Sequence, residues 1–224
     1  MGTVNKIADQ VQSYAIRIPA HKLMLDGDLT VPANARGLVV FAHGSGSSRK
    51  SPRNRFVADH LNGHRLASLL IDLLTPEEDE IDRKYHQLRF NIALLADRLD
   101  CITKWAAADS RTTGLEIGYF GASTGAAAAL VAAARHPLAV KAVVSRGGRP
   151  DLADGFLSLV KAPTLLIVGT HDPEVLHLNR QSLSELNRDS AIRLVNGASH
   201  LFEEPGALEQ VTELAATWFG THIG

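Results

Sequence analysis

Apolar residues along the chain change their spacing near residue 37. Between Tyr14 and Val31 they alternate with polar or small residues, with an interruption at Asp26 and Gly27. A period of two is typical of strands with one buried face, so this opening predicts two antiparallel strands at the edge of a sheet. From Gly37 onward the apolar residues form continuous runs, which indicates strands buried on both faces, as in a parallel sheet covered by helices.

Six such runs follow the first two strands, separated by helix-length segments. Their predicted bounds are Leu38 to Ala42, Leu66 to Asp72, Leu115 to Phe120, Val140 to Ser145, Thr164 to Gly169 and Ala191 to Val195. Because strands alternate with helices, the expected fold is α/β, with a mostly parallel sheet of eight strands and helices on both faces. No insertion long enough for a separate lid domain interrupts this order. Residues 1–224 are therefore predicted to form a single domain with an open or shallow site.

Three segments have the features of helices. Apolar residues between His86 and Ala108 recur at alternating spacings of four and three, which predicts a helix with one buried face. The alanine-rich segment Ala126 to Arg135 and the final segment Pro205 to Phe219 are also predicted helices. The acidic segment Leu74 to Asp82 is interpreted as a solvated loop. Cys101, beside the first apolar stripe, is interpreted as a packing thiol.

Composition narrows the functional classes. The 224 residues are 45% hydrophobic, which is enough for one substantial core. The formal net charge is −1, so no general attraction to nucleic acid or to an anionic membrane surface is expected. No apolar run approaches the roughly 20 residues needed to cross a bilayer, and Met1 to Gln12 is too polar for a signal peptide. These features favour a cytoplasmic protein, and the single cysteine excludes an intrachain disulfide.

The stretch Gly121 to Gly125 carries the strongest chemical signal. Ser123 has a glycine two positions before it and another two positions after it, between a predicted strand and a predicted helix. This G-x-S-x-G pattern is typical of a nucleophile elbow, in which a tight turn lifts the serine hydroxyl above the sheet edge. The pattern alone is weak, because small residues are common in strand-to-helix turns that carry no chemistry.

Two further polar residues strengthen this interpretation. Asp172 and His200 each lie just past the end of a predicted strand. The chain order serine, aspartate, histidine is that of α/β-hydrolases, and it differs from the orders in chymotrypsin-like and subtilisin-like enzymes. His200 is therefore the predicted base, and Asp172 is the predicted acid that orients it. His171 as the base and Glu174 as the acid remain alternatives.

With these motifs the chain resembles the α/β-hydrolases of the dienelactone-hydrolase-like group, from about Leu38 to the last helix. The segment Phe41 to Gly46 is similar to the His-Gly turn that supplies an oxyanion donor in that superfamily. The resemblance implies an oxyanion hole formed by the backbone amides of Thr124 and Ser45. Dienelactone hydrolases use cysteine at the elbow, whereas this chain has Ser123, so their ring-opening specificity is not carried over.

Two cationic segments lie near the same predicted sheet edge. Arg146 and Arg149 follow a strand and are candidate contacts for a substrate carboxylate, with an ion pair to Asp151 or Asp154 as the alternative. The glycine-rich segment Gly44 to Lys50 has amides and cations that suit an anion, but it lacks the spacing of a P-loop. It is interpreted mainly as a solvated entry to a helix.

The sequence therefore predicts a serine hydrolase that acts on small esters or lactones through an acyl-enzyme intermediate. A small-molecule substrate is the expected partner, and the oligomeric state is left open. No metal-ligand spacing occurs, so neither a metal nor another cofactor is expected. The alternative from a different class is a non-catalytic protein that keeps the scaffold for binding or regulation. The joint presence of Ser123, Asp172 and His200 favours the enzyme.

Overall fold

Eight strands form the middle of the molecule in a computed structural model that describes residues 11–153 and 155–224. Most of the N-terminal segment used to argue against a signal peptide lies outside the described residues. All eight predicted strands are present, with small shifts at their ends. They are β1 (Gln12–Ala20), β2 (Leu23–Val31), β3 (Gly37–Ala42), β4 (Leu66–Ile71), β5 (Glu116–Ala122), β6 (Val140–Arg146), β7 (Thr164–Gly169) and β8 (Ala191–Val195).

The sheet is mixed and mostly parallel, with the strand order β1-β2-β4-β3-β5-β6-β7-β8. β1 pairs antiparallel with β2, and β2 pairs antiparallel with β4, whereas all later pairs are parallel. The two predicted antiparallel strands are confirmed, although only β1 lies at the edge. Because the other strands run in one direction, the loops that follow β3, β5, β6, β7 and β8 all leave from the same edge of the sheet. This edge, at the carboxyl ends of the parallel strands, is called the carboxyl edge.

Helices cover both faces of the sheet, as the α/β-hydrolase prediction requires. The α-helices are α1 (Pro52–Gly63), α2 (Pro76–Tyr85), α3 (Ile92–Ala108), α4 (Thr124–Arg135), α5 (Pro173–Leu183) and α6 (Ala207–His222). On one face, α1 and α6 pack through Val57, Leu61, Val211 and Phe219. On the other, α3 and α4 pack through side chains such as Leu99 and through the alanines of α4. Among the described residues, no helix is both long and apolar enough to cross a membrane.

The prediction that Leu74 to Asp82 is a solvated loop was wrong, because most of this segment belongs to α2. The Thr75 hydroxyl accepts a hydrogen bond from the Glu78 amide at 3.2 Å, and the Glu78 carboxylate accepts one from the Thr75 amide at 2.9 Å. This reciprocal capping box, with Pro76 at the first helical position, starts the helix. The acidic residues of the first turn also favour the positive end of the helix dipole.

The predicted helix from His86 to Ala108 was too long, because α3 begins only at Ile92. His86 adopts a left-handed conformation with φ of 57° and ends α2. A short 3-10 turn at Leu88–Phe90 follows, and the Asn91 side chain then caps α3. Apolar spacing continued through this region, but the polar cap at Asn91 fixed where the helix starts.

Two smaller expectations concern packing. Cys101 is half-buried in α3 against the core, in agreement with a packing thiol, and its Sγ lies 3.8 Å from His21 Nε2. The final helix runs from Ala207 to His222, and its buried residues include Val211 and Phe219. The prediction of this helix is confirmed with later bounds.

Candidate active site

Ser123 occupies a strained turn between β5 and α4. Its backbone has φ of 49° and ψ of −122°, a conformation that non-glycine residues rarely adopt. Such a turn persists only where the surrounding structure holds it in place. The side chain is half-buried, and its hydroxyl has no hydrogen-bond partner within the described residues. The strained turn and the free hydroxyl are the features of a nucleophile elbow.

The two glycines that frame Ser123 are required by close backbone contacts. A Cβ atom added at Gly121 would lie 2.4 Å from the Cα atom of Ala126, and one added at Gly125 would lie 2.2 Å from the carbonyl oxygen of Ala42. Real Cβ atoms do not approach other atoms so closely. The G-x-S-x-G spacing therefore reflects a turn packed tightly against both α4 and β3.

His200 and Asp172 form the hydrogen bond that the sequence predicts. His200 lies in the loop after β8, and Asp172 caps α5 just after β7. The Nδ1 atom of His200 lies 2.7 Å from Oδ2 of Asp172. Because an ionised carboxylate only accepts, Nδ1 carries the proton, and Nε2 of the neutral ring is left as the acceptor. In the part of the chain described here, Nε2 has no hydrogen-bond partner.

The loop after β6 links Ser123 to His200. The Ser123 amide donates to the Arg146 carbonyl at 3.4 Å, and the Arg149 amide donates to the Ser123 carbonyl at 3.1 Å. Between them, a Cβ atom added at Gly147 would lie 3.0 Å from the His200 carbonyl oxygen and 3.6 Å from its Nδ1 atom. The nucleophile candidate and the histidine candidate therefore contact the same four-residue segment, Arg146 to Arg149, at the carboxyl edge.

The two predicted oxyanion donors, Ser45 and Thr124, are neighbours. Their hydroxyl oxygens lie 3.0 Å apart. Thr124 is the first residue of α4, so its amide has no acceptor within the helix. Neither amide donates to a protein group within residues 11–153 and 155–224. A Cβ atom added at Gly44 would lie 3.0 Å from Cβ of Ser123, so the turn that carries Ser45 lies directly against the serine.

His43 holds this turn in place as a neutral ring. Its Nδ1 donates to the Gly44 carbonyl at 3.0 Å, and its Nε2 accepts from the Leu73 amide at 3.0 Å. Only a neutral imidazole protonated on Nδ1 can do both. Burial lowers the pKa of His43, although the Gly44 hydrogen bond and nearby Asp72 act in the opposite direction. His43 therefore ties the end of β3 to the segment after β4.

The two alternative site residues take other positions. His171 is exposed, and its amide donates to the Ala198 carbonyl at 2.9 Å, which brings the loops after β7 and β8 together. Glu174 lies in the first turn of α5. His200 hydrogen-bonds to Asp172 and not to Glu174.

Arg149 forms an ion pair with Asp151, which the sequence offered as the alternative to a substrate contact. Its Nε donates to one Asp151 oxygen at 2.8 Å, and its Nη2 donates to the other at 2.6 Å. This bidentate pair raises the pKa of Arg149 and engages its Nε and Nη2 atoms. Arg149 therefore forms the ion pair given as the alternative, and its contact with a substrate stays a prediction. The other proposed partner, Asp154, lies outside the described residues.

Arg146 differs sharply from Arg149. It is only 8% exposed, and among the residues that the structure describes its buried Nε and Nη1 atoms have no hydrogen-bond partner. Burial, together with the positive charge of Arg53, lowers the pKa of Arg146 to about 10. A buried donor without a partner is costly and calls for a physical explanation.

The cations of the segment Gly44 to Lys50 do not form a free anion cradle. The guanidinium of Arg49 is held by Asp72, whose other oxygen accepts from the Arg49 amide at 2.6 Å. Arg49 also lies 3.6 Å from a carboxylate oxygen of Asp28. This arrangement agrees with the interpretation of the segment as a helix entry.

Sequence reasoning missed two residues that support the site. Asn179 on α5 is fully buried, and its Nδ2 donates to the Gly148 carbonyl at 2.9 Å in the loop beneath Ser123. Glu204 accepts from the Ser199 amide at 3.0 Å beside His200. The only sequence signal for Asn179 was a polar residue on an otherwise buried helix face, and Glu204 had none. Among the described residues, no three His, Cys, Asp or Glu side chains are grouped to hold a metal ion.

The strand order, the strained serine turn and the His200–Asp172 pair define an α/β-hydrolase fold. Residues 56–219 match the family model described as the dienelactone hydrolase family. The chain therefore belongs to the dienelactone hydrolase family, and this membership supports a hydrolase.

Close relatives extend over almost the whole chain. A crystal structure of a dienelactone hydrolase from Anabaena variabilis is 54% identical, covers 96% of this chain and all of its own, and superimposes with a TM-score of 0.94. The "Putative phosphoribosyl transferase Rv0571c" of Mycobacterium tuberculosis is 52% identical over 99% of this chain. The match includes 49% of that protein, so the chain spans about half the length of the curated relatives it matches.

More distant solved structures share the fold alone. Est1E from Butyrivibrio proteoclasticus is 16% identical, covers 92% of this chain and 98% of its own, and has a TM-score of 0.77. A dienelactone hydrolase-like promiscuous phosphotriesterase, P91 from metagenomic libraries, is also 16% identical, covers 96% of this chain and 99% of its own, and has a TM-score of 0.76.

Proposed function

We propose that this protein is a serine hydrolase that cleaves small carboxylic esters or lactones through an acyl-enzyme intermediate. The observation that carries this proposal is the strained Ser123 turn at the same edge as a 2.7 Å hydrogen bond between His200 and Asp172. A serine hydroxyl is a poor nucleophile until a base removes its proton. His200, held in the Nδ1-protonated form by Asp172, presents Nε2 for that task.

The proposed reaction has two halves. In the first, Nε2 of His200 takes the proton of Ser123 while Oγ attacks the ester carbonyl, and the resulting imidazolium returns the proton to the leaving alkoxide. In the second, His200 activates a water that hydrolyses the acyl-enzyme. The amides of Ser45 and Thr124 bind the oxyanion in both halves, and each such donor is typically worth about 10² to 10³ in kcat.

The phosphoribosyl transferase in the name of the Mycobacterium tuberculosis relatives refers to proteins about twice as long as this chain. The groups gathered around Ser123 match the requirements of acyl transfer, so the hydrolase proposal concerns this half of their length.

Labelling with a fluorophosphonate probe, followed by peptide mass spectrometry, tests the proposal. We expect stoichiometric modification of Ser123 in the wild type and its loss in His200→Ala and Ser123→Ala. Ser47→Ala, in the turn after β3, serves as a control for removal of a serine near the site. If the folded wild type is not labelled and turns over no member of an ester and lactone panel, the protein is instead a non-catalytic member of the fold.

A further inference from the structure

Asn179 is a fully buried polar side chain on α5 that takes no part in the proposed reaction. Its Nδ2 atom donates to the Val175 carbonyl at 2.7 Å, one turn back in the same helix, and to the Gly148 carbonyl at 2.9 Å. These two acceptors fix the orientation of the side-chain amide, because Oδ1 in the same place would face two oxygens. Within residues 11–153 and 155–224 the buried Oδ1 has no partner, so Asn179 acts through its donor group.

The hydrogen bond to Gly148 orients one peptide unit. In a trans peptide the C=O and N–H groups point in opposite directions, and no described peptide bond is cis. The Gly148 carbonyl points to Asn179, so the amide of the next residue, Arg149, points away from α5. This amide donates to the Ser123 carbonyl at 3.1 Å. One peptide unit therefore joins the side chain of Asn179 to the backbone of Ser123.

The same relation holds for the next peptide unit. The Ser123 carbonyl and the Thr124 amide belong to one trans peptide, so the N–H points away from the group that binds the carbonyl. The Arg149 amide and the Ala126 amide, each at 3.1 Å, bind that carbonyl. Hydrogen-bonded peptide units also polarise one another, which strengthens the last donor in the series. The direction and strength of the Thr124 amide therefore depend on the bond that Arg149 makes.

Packing around Gly148 fixes its position but not the plane of its peptide. A Cβ atom added at Gly148 would overlap the Ser145 Oγ atom and would lie 2.6 Å from Cβ of Ala126. Fixed Cα positions still allow a peptide plane to rotate, because the two flanking backbone dihedrals can change together. The hydrogen bond from Asn179 opposes this rotation, which would turn the Arg149 amide away from its acceptor.

We propose that Asn179 is a positioning residue that aims the Thr124 amide as an oxyanion donor, through the peptide unit between Gly148 and Arg149. This inference rests on the proposed function for the role of Thr124, whereas the orientation of the peptide unit does not depend on turnover. An oxyanion donor acts in the transition state, so weakening it lowers kcat and leaves KM nearly unchanged.

The kinetic test compares para-nitrophenyl acetate with its thiono analogue, in which sulfur replaces the carbonyl oxygen. Sulfur is a weak hydrogen-bond acceptor, so oxyanion donors favour the oxygen ester. We expect the ratio of kcat/KM for the oxygen ester over the thiono ester to fall about tenfold or more in Asn179→Leu. Both esters meet the same enzyme, so a smaller fraction of folded protein leaves this ratio unchanged.

Two further variants separate positioning from packing. Asn179→Thr keeps a hydroxyl that can bond to the Val175 carbonyl, but its side chain is too short to reach Gly148, so the ratio should fall as in Asn179→Leu. Leu183→Ala is the matched control, because it removes core packing at the other end of α5 and should lower stability without changing the ratio.

A measurement on the wild type does not depend on the folding of any variant. Its preference for the oxygen ester should exceed the preference of hydroxide ion for the same two esters. Equal preferences would mean that no oxyanion donor acts in the protein, and the positioning of Thr124 by Asn179 would be overturned.

Amide hydrogen exchange followed by NMR tests the orientation of the peptide unit without turnover. The Arg149 amide should exchange about threefold to tenfold faster in Asn179→Leu and Asn179→Thr than in the wild type, because it loses a hydrogen bond that holds its plane. Leu183→Ala should exchange at this position as the wild type does.

The failure of this inference and the failure of the hydrolase proposal give different results. Normal labelling of Ser123, with an unchanged ester ratio in both Asn179 variants, would overturn the positioning and leave the hydrolase. A wild type that is neither labelled nor active would overturn the hydrolase. Exchange at Arg149 then decides the remaining point: faster exchange in the Asn179 variants supports its control of the peptide unit, and unchanged exchange overturns it.

Discussion

Ser123 and His200 are held in place largely by backbone groups of neighbouring loops. The Ser123 amide and carbonyl hydrogen-bond to the segment from Arg146 to Arg149, and Asn179 on α5 binds the Gly148 carbonyl of that segment. α5 begins just after Asp172, which hydrogen-bonds to His200. The fully buried side-chain amide of Asn179 thus connects the helix that follows the proposed acid to the segment that supports the proposed nucleophile. Short-range packing of this kind limits the freedom of groups whose alignment decides the rate.

His43 gives a pH dependence that can be assigned to one residue. Its pKa is lowered in the folded protein by burial, so below the ordinary value of 6.5 the unfolded chain binds more protons than the folded one. Stability is therefore fully present above about pH 6.5 and falls as the pH drops from there towards the lowered folded value. The expected slope is at most about 1.4 kcal/mol per pH unit.

Urea unfolding between pH 5 and 8 measures this slope. His43→Gln, which keeps an acceptor for the Leu73 amide but does not titrate, should flatten the dependence. His64→Gln, at an exposed histidine, is the control and should leave the slope as in the wild type. Equal slopes in the wild type and His43→Gln would mean that His43 is not the source.

How far the site could be predicted depends on whether its signals are local. Ser123, Asp172 and His200 could be placed because each follows a recognisable strand, and the strand order then brings them to one edge. The different environments of Arg146 and Arg149 could not be predicted, since the two arginines are only three residues apart. The Arg149 side chain reaches a carboxylate two residues away, whereas Arg146 at the end of β6 is 8% exposed, and its burial depends on distant parts of the chain.

At the scale of elements, the segment between β4 and α3 contains the largest error of the sequence interpretation. The many acidic residues of this segment suggested a solvated loop. Thr75, Pro76 and Glu78 nevertheless form the sequence pattern of a helix start. The start of α3 was also misplaced, because apolar spacing continued across the 3-10 turn. In both cases capping residues determined the boundary, and they carry more local information than composition or periodicity.

The carboxylate of Asp82 stabilises the turn between α2 and α3 through hydrogen bonds. Its side chain is 1% exposed and accepts from the Leu88 amide at 2.7 Å, the Arg89 amide at 3.0 Å and the Arg89 guanidinium at 2.5 Å. These bonds keep the pKa of Asp82 low, although burial alone would raise it. The Arg89 carbonyl lies 3.5 Å from the Ser45 hydroxyl, so this turn borders the turn that carries Ser45.

Asp82→Ala should lower the free energy of unfolding by about 2–3 kcal/mol, because it leaves buried donors without an acceptor. The matched control is Asp79→Ala, which removes an exposed helix pair with Arg83 and should cost at most about 0.5 kcal/mol. Hydrogen exchange should quicken at residues 86–91 in the first variant only. Equal stability losses in the two variants would contradict a stabilising role of the Asp82 hydrogen bonds.

At the scale of the whole molecule, one sheet separates two apolar layers. Leu61 of α1 lies fully buried in the layer with α6, and Leu99 of α3 lies fully buried in the layer with α4. Both layers reach the carboxyl edge, because Phe202 in the loop after β8 packs in the layer with α6, and α4 of the other layer begins at Thr124. The two layers should therefore lose their structure together, since both depend on the same strands.

The fluorescence of two tryptophans can follow the unfolding of the two layers separately. Of its two tryptophans, Trp105 packs on the layer with α3 and Trp218 on the layer with α6. Leu61→Ala and Leu99→Ala should each cost about 2–5 kcal/mol, and their losses should add within about 0.5 kcal/mol, since the side chains lie on opposite faces. Each variant would be unfolded in Trp105→Phe and Trp218→Phe backgrounds. Coincident midpoints for both tryptophans would establish cooperative unfolding across the sheet. If Leu61→Ala shifted the Trp218 transition alone, the layer of α1 and α6 would be an independent unit that could open without the layer of α3 and α4.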